Sequence, residues 1–135
     1  MIESLRFMTR AITFGRMPVE KWSDSVVVVH LGDDPRFGEE MEAASAMTPP
    51  CHSGVLDFSA IHYINSSNIA SLLRLRRQIH DLNGKLVLCN VGNPVWTTFL
   101  ITGLDKIFEF TENVPTALAT IQLHEPDKTR KMKAE

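Results

Sequence analysis

Residues 62–79 read HYINSSNIASLLRLRRQI, with two adjacent serines, Ser66 and Ser67, set between Asn65 and Asn68. Hydroxyls in this position allow three chemistries: capping the free amides of a helix, accepting a phosphoryl group, or attacking as a nucleophile. For capping, Ser and Asn are both favoured types, and the local sequence does not choose between them. A phosphate is tolerated at a helix start because the first amides lack intrahelical partners and the helix dipole is positive there. A nucleophile needs a base and an orienting acid, for which His52 or His62 and Asp57 are the candidates. No G-x-S-x-G elbow surrounds either serine, so no catalytic residue is expected. Cys51 beside His52, with His62 and Cys89 further along the chain, lacks metal-ligand spacing. Neither a metal nor a cofactor is expected.

The elements that would carry these residues alternate in type. SVVVVHL at 25–31 is β-branched and continuously apolar, as befits a strand covered on both faces. GDDPRFG breaks it, EEMEAASAM at 39–47 is rich in helix formers, and TPPCHSG stops that helix. VLDF at 55–58 is a second strand. From Ser67 to Leu82 the apolar residues Ile69, Leu72, Leu73, Leu75, Ile79 and Leu82 recur at helical spacing. The Asn83-Gly84 pair closes this helix and KLVLCNV at 85–91 is a third strand. NPVWTTFLIT starts like a helix with Pro near its first position and stops at Gly103. KIFEF at 106–110 reads as a short strand, and NVPTALATIQL at 113–123 as a last helix capped by Asn113. This alternation predicts an α/β layered fold. LRFMTRAITF at 5–14 is read as an edge strand beside the Val26 strand, in preference to a flexible leader.

Composition narrows the functional classes. The chain has 135 residues, 44% apolar and 22% charged, with a formal net charge of −2, which describes one soluble globular domain. It is not basic enough to imply nucleic acid. No apolar run approaches the roughly 20 residues of a bilayer span, and the N-terminus lacks an apolar core with a cleavage site. No membrane insertion is expected, and a cytoplasmic location is, which suits the two unpaired cysteines. Trp96 falls one position off the apolar spacing of Val95 and Phe99, leaving its ring partly exposed as a candidate partner contact. Arg76 and His80 flank the apolar stripe of the long helix, where the Arg76 stem can lie along the sheet edge.

The stretch from Val55 to Ile121 resembles a STAS domain, the module named for sulfate transporters and anti-sigma factor antagonists. LDFSAIHYINSSNIA matches the family's strand ending in Asp, its apolar loop and its Asp-Ser-Ser-Gly-Leu-Gly motif. The GKLVLC strand, the helix ending in Thr-Gly-Leu and KIFEF are similar to the family as well. Asn65 stands where the family has Asp, Asn68 and Ala70 where it has Gly, and HLGDDPRFG only loosely follows its Gly-Glu-Leu-Asp strand end. The resemblance implies one mixed central sheet of four to five strands with about four helices packed on it. It implies a domain over 25–123, preceded by an N-terminal segment, 1–24, holding the edge strand and followed by a charged tail, 124–135. By position it makes Ser66 the phosphoacceptor, with Ser67 as the alternative. The implied partner is an anti-sigma factor that is also a serine kinase, or another STAS-binding protein. The expected partner-facing residues are Asn65, Ser66, Ser67, Asn68, Asp33, Asp34 and Trp96, on a monomer or weak dimer. The alternatives are an unphosphorylated scaffold or transporter-associated subunit, and a sensor of a small anionic ligand.

Overall fold

The apolar run starting at Val26 forms the second strand of a five-stranded sheet in the computed structural model, which describes residues 19–124. In chain order the elements are β1 (Val19–Lys21), β2 (Val26–Gly32), α1 (Arg36–Ala46), β3 (Ser53–Ala60), α2 (Ser66–Asp81), β4 (Leu86–Cys89), α3 (Asn93–Thr102), a short 3-10 turn (Leu104–Lys106), β5 (Glu109–Thr111) and α4 (Val114–His124). The strands lie in the order β1-β2-β3-β4-β5. β1 runs antiparallel to β2, and the other three pairings are parallel. The sheet is therefore mixed, as the family resemblance implies. The strand read at 5–14 and the tail from residue 125 onward lie outside the described residues; the edge beside β2 is held by Val19–Lys21.

Period-two alternation divides the strands between two cores. Val27, Val29, Leu31, Leu56, Phe58 and Leu88 face α1, α2 and α3, meeting Phe37, Met41, Leu72, Leu75, Ile79, Val95 and Phe99. Val26, Val28, Val55, Val87 and Cys89 face the other way and pack with Ala117 and Ile121 of α4. Because both faces are covered, the central strands are apolar at nearly every position rather than alternating.

Three local readings shift. The first helix starts at Arg36 instead of 39, with Pro35 in its N-cap position at φ −85°, a value a proline ring holds readily and a helix start accepts. Leu73 is 37% exposed, and the inward stripe of α2 is Asn68, Leu72, Leu75 and Ile79. This i, i+4, i+7 row turns Leu73 toward solvent and brings a polar residue to the core side of the first turn. Last, the strand expected at 106–110 lies at Glu109–Thr111. Gly103, at φ 78°, ends α3 in a left-handed cap and a 3-10 turn takes up Leu104–Lys106. Phe108 is thereby buried ahead of the strand, in contact with Phe99.

Parallel strands place the loops that follow β2, β3 and β4 beyond the carboxyl ends of those strands, where sites in open α/β sheets gather. Those loops carry Asp33 and Asp34, the serine segment, and the start of α3 with Trp96.

Candidate functional site

α2 begins directly after Asn65, whose extended backbone (φ −122°, ψ −177°) makes it the N-cap. The Asn65 Oδ1 accepts the Asn68 backbone N–H at 2.9 Å, and the Asn68 Oδ1 accepts the Asn65 backbone N–H at 3.0 Å. This is a capping box built from two asparagines. Since only the amide oxygens can accept these backbone protons, both side-chain NH2 groups point the other way. Both meet Asp34: the Asn65 Nδ2 donates to its Oδ2 at 2.9 Å and the Asn68 Nδ2 to its Oδ1 at 3.3 Å. Asn68 is 4% exposed, so its polar atoms need these partners.

Asp33 fixes the other end of the same loop. Its Oδ1 accepts the His62 backbone N–H at 2.9 Å, and its Oδ2 lies 2.7 Å from the His62 Nδ1. Burial alone would raise the Asp33 carboxyl, but the backbone and ring hydrogen bonds of His62, with that ring's charge, hold it below the usual carboxylate range. Behind both acids, the Gly32 backbone N–H donates to the buried Glu40 Oε1 at 2.7 Å, and Arg36 pairs with the other Glu40 oxygen at 3.2 Å. The β2–α1 loop is thus anchored from within and clamps the loop leading into α2.

Against this frame Ser66 and Ser67 are both exposed. Neither hydroxyl makes a hydrogen bond among the described residues. The cap open to Ser or Asn by sequence is made by Asn65, and the serines occupy the first two helical positions, where their backbone amides have no intrahelical acceptor. His62, Asn65 and Asn68 are brought to Asp33 and Asp34 in one cluster. Trp96 is at the same carboxyl end of the sheet but half-buried, its ring 5.0 Å from Phe110 in edge-to-face contact. Arg76 is exposed and lines a shallow cleft with Lys85 and Glu109 of the β4–β5 edge.

The triad arrangement is not assembled. Asp57 points to the α4 side of the sheet, where its Oδ2 lies 2.7 Å from His30 Nδ1 and its Oδ1 accepts Asn90 Nδ2 and the Ser59 backbone N–H, each at 3.0 Å. Burial opposes its charge, but the hydrogen bonds from Asn90, Ser59 and His30 outweigh it and lower its carboxyl below the ordinary range. The other ring nitrogen of His30 meets Glu20 of β1 at 2.9 Å. His62 belongs to Asp33, and His52, beside Ser53, precedes β3 while the serines follow it. Cys51 and Cys89 are buried in the cores on opposite faces of the sheet. Sequence reasoning missed the pairing of His62 with Asp33, and it missed Glu40, which nothing in its acidic stretch marks out, and His30 and Asn90, whose only advance signal is a polar residue beside or within an apolar run.

The sequence profile of the STAS domain matches residues 17–117, and the chain belongs to the STAS domain family. It is 29% identical over 83 residues to a Bordetella bronchiseptica protein provisionally named anti-sigma factor antagonist BtrV, covering 62% of this chain and 72% of that one. Its fold is similar to that of the anti-sigma factor antagonist SpoIIAA in its unphosphorylated form, with a TM-score of 0.67 and 17% identity over 77% of this chain and 94% of that one. The phosphorylated form of the Bacillus cell fate determinant SpoIIAA superposes with a TM-score of 0.60 and 18% identity, over 76% of this chain and 96% of that one. The fold and the relatives are of the anti-sigma factor antagonist type. Among the described residues no helix is long and apolar enough to cross a membrane.

Proposed function

We propose that this domain is a cytoplasmic, non-enzymatic binding module that docks to an anti-sigma factor acting as a serine kinase, and that phosphorylation of Ser66 ends the association. The observation that carries the reading is the division of labour at the start of α2: Asn65 and Asn68 cap the helix, leaving the Ser66 hydroxyl exposed and uncommitted. Ser67, its exposed neighbour, is the alternative acceptor. Asn65, Asn68, Asp33, Asp34 and Trp96 form or support the surrounding partner surface. A phosphate on Ser66 adds roughly −1.5 to −2 charges one residue after Asn65, whose amide Asp34 holds. The free amides at the start of α2 accommodate it within the domain, so the damage falls on binding. A second reading, a STAS scaffold never phosphorylated, is favoured by Asn65 standing where the family has Asp.

Calorimetric titration of the cognate anti-sigma partner against wild type and Ser66→Asp separates the two. The switch requires a melting temperature nearly unchanged and an affinity at least about tenfold weaker, or 1.4 kcal/mol. Equal affinity with equal stability leaves the scaffold.

A further inference from the structure

The departures from the family motif at residues 65 and 68 are tied to a residue outside that motif. Both oxygens of Asp34 are occupied by the Asn65 and Asn68 amides at 2.9 and 3.3 Å. A carboxylate at 65 keeps an oxygen for the Asn68 backbone amide but turns its other oxygen, where Asn65 now has a donor, onto the Asp34 carboxylate. Two acceptors of like charge then face each other at hydrogen-bond distance, which is unfavourable. Carboxylates at 34 and 65 therefore oppose one another in this loop geometry. Asn65 is exposed, and its second amide N–H has no partner among the described residues. One residue before the acceptor serine, the surface thus offers a neutral donor instead of an anion.

We infer that Asn65 is a specificity-determining residue for phosphorylation of Ser66, held in place by Asp34 as its positioning residue. The kinase that reads this loop then meets residue 65 with a hydrogen-bond acceptor, a carbonyl or carboxylate, where a kinase reading a carboxylate would present a cation. This rests on the regulatory reading given above. It goes beyond it by naming the chemistry of the partner's contact and the residue that orients it.

The test uses four full-length proteins: wild type, Asn65→Asp, Asp34→Asn, and the exchanged pair Asp34→Asn with Asn65→Asp. The exchange restores complementarity, since the amide moved to position 34 can donate to the carboxylate moved to position 65, but it leaves that carboxylate at the kinase-facing position. Melting temperatures give the coupling between the two sites. Initial rates of Ser66 phosphorylation, with ATP and a fixed extract of the native cell and with Ser66→Ala as the blank, give the half-saturating concentration and maximal rate separately. Asn65→Asp is expected to lower the melting temperature by roughly 4–8 °C. It is also expected to raise the half-saturating concentration at least about tenfold, as turning one hydrogen-bond donor into an acceptor that faces the partner's acceptor does. The exchanged pair is expected to recover the melting temperature and not the half-saturating concentration, a split that a purely structural latch cannot produce. Recovery of both overturns the inference and leaves a loop latch. A single Asn65→Asp variant with unchanged melting temperature and rates overturns it as well. A wild type that takes no phosphate at Ser66 while residues 34 and 65 still couple overturns the regulatory reading, and the inference with it. Normal phosphorylation without coupling overturns the inference alone.

Discussion

Asn65 and Asn68 cap each other's backbone amides at 2.9 and 3.0 Å, so the first turn of α2 is closed without help from either serine. Replacing Asn68 by Gly, the residue the family carries there, removes one of the two caps and one of the amides on Asp34. It also places glycine in the first helical turn. We expect a loss of about 2 kcal/mol, the sum of a cap and a glycine penalty. Denaturant titration measures it, and a loss under about 0.5 kcal/mol, the range of ordinary surface changes, would mean the turn is held by other contacts.

The rotation of α2 on the sheet makes neighbouring leucines unequal. Leu72 is fully buried among the core residues of β2, β3 and α1, whereas Leu73 is 37% exposed. Leu72→Ala should therefore cost about 2–5 kcal/mol. Leu73→Ala should stay within about 0.5 kcal/mol, as surface substitutions do. Parallel urea melts of the two variants check the orientation, and equal losses would contradict it.

Acid should weaken the fold through Asp57. Its carboxyl is lowered in the native state, so its contribution is complete above the unfolded carboxylate value of about 3.9 and is lost as pH falls through the lower native value. The Asp33 carboxyl, also lowered, acts in the same window. Asp57→Asn swaps one acceptor oxygen of a side chain only 7% exposed for an amide that must face His30 Nδ1 or the Asn90 and Ser59 donors. At pH 7 this should cost about 2–4 kcal/mol. Between about pH 5 and the acid limit the variant should also lose less stability than wild type, which thermal melts across that range can read. Matching slopes would place the acid-sensitive group elsewhere.

Much of the fold is legible along the chain because it depends on neighbours a few residues apart. The apolar β-branched run at Val26 and the stop of α3 at Gly103 are of this kind. So is the Asn113 cap of α4, whose Oδ1 accepts the Thr116 backbone N–H at 2.9 Å. The placement of Ser66 and Ser67 at a helix start is likewise local, and so is the family motif around them. Three things were decided only by the assembled fold. Whether Leu73 or Leu75 turns inward depends on how α2 rolls against β4 and α1, and helical spacing admits both. Which of four adjacent polar residues caps the helix depends on what else they can reach, and Asp34, 31 residues before Asn65, gives the two asparagines a second partner that no serine has. The pairings of Asp33 with His62 and of Asp57 with His30 span 29 and 27 residues. They exist because β2 and β3 lie parallel in a fixed register, with His30 beside Asp57 and the two following loops at the same end of the strands. Hydrogen-bond partners so far apart leave no periodic trace in a sequence, since their meeting is set by strand pairing and not by spacing along the chain.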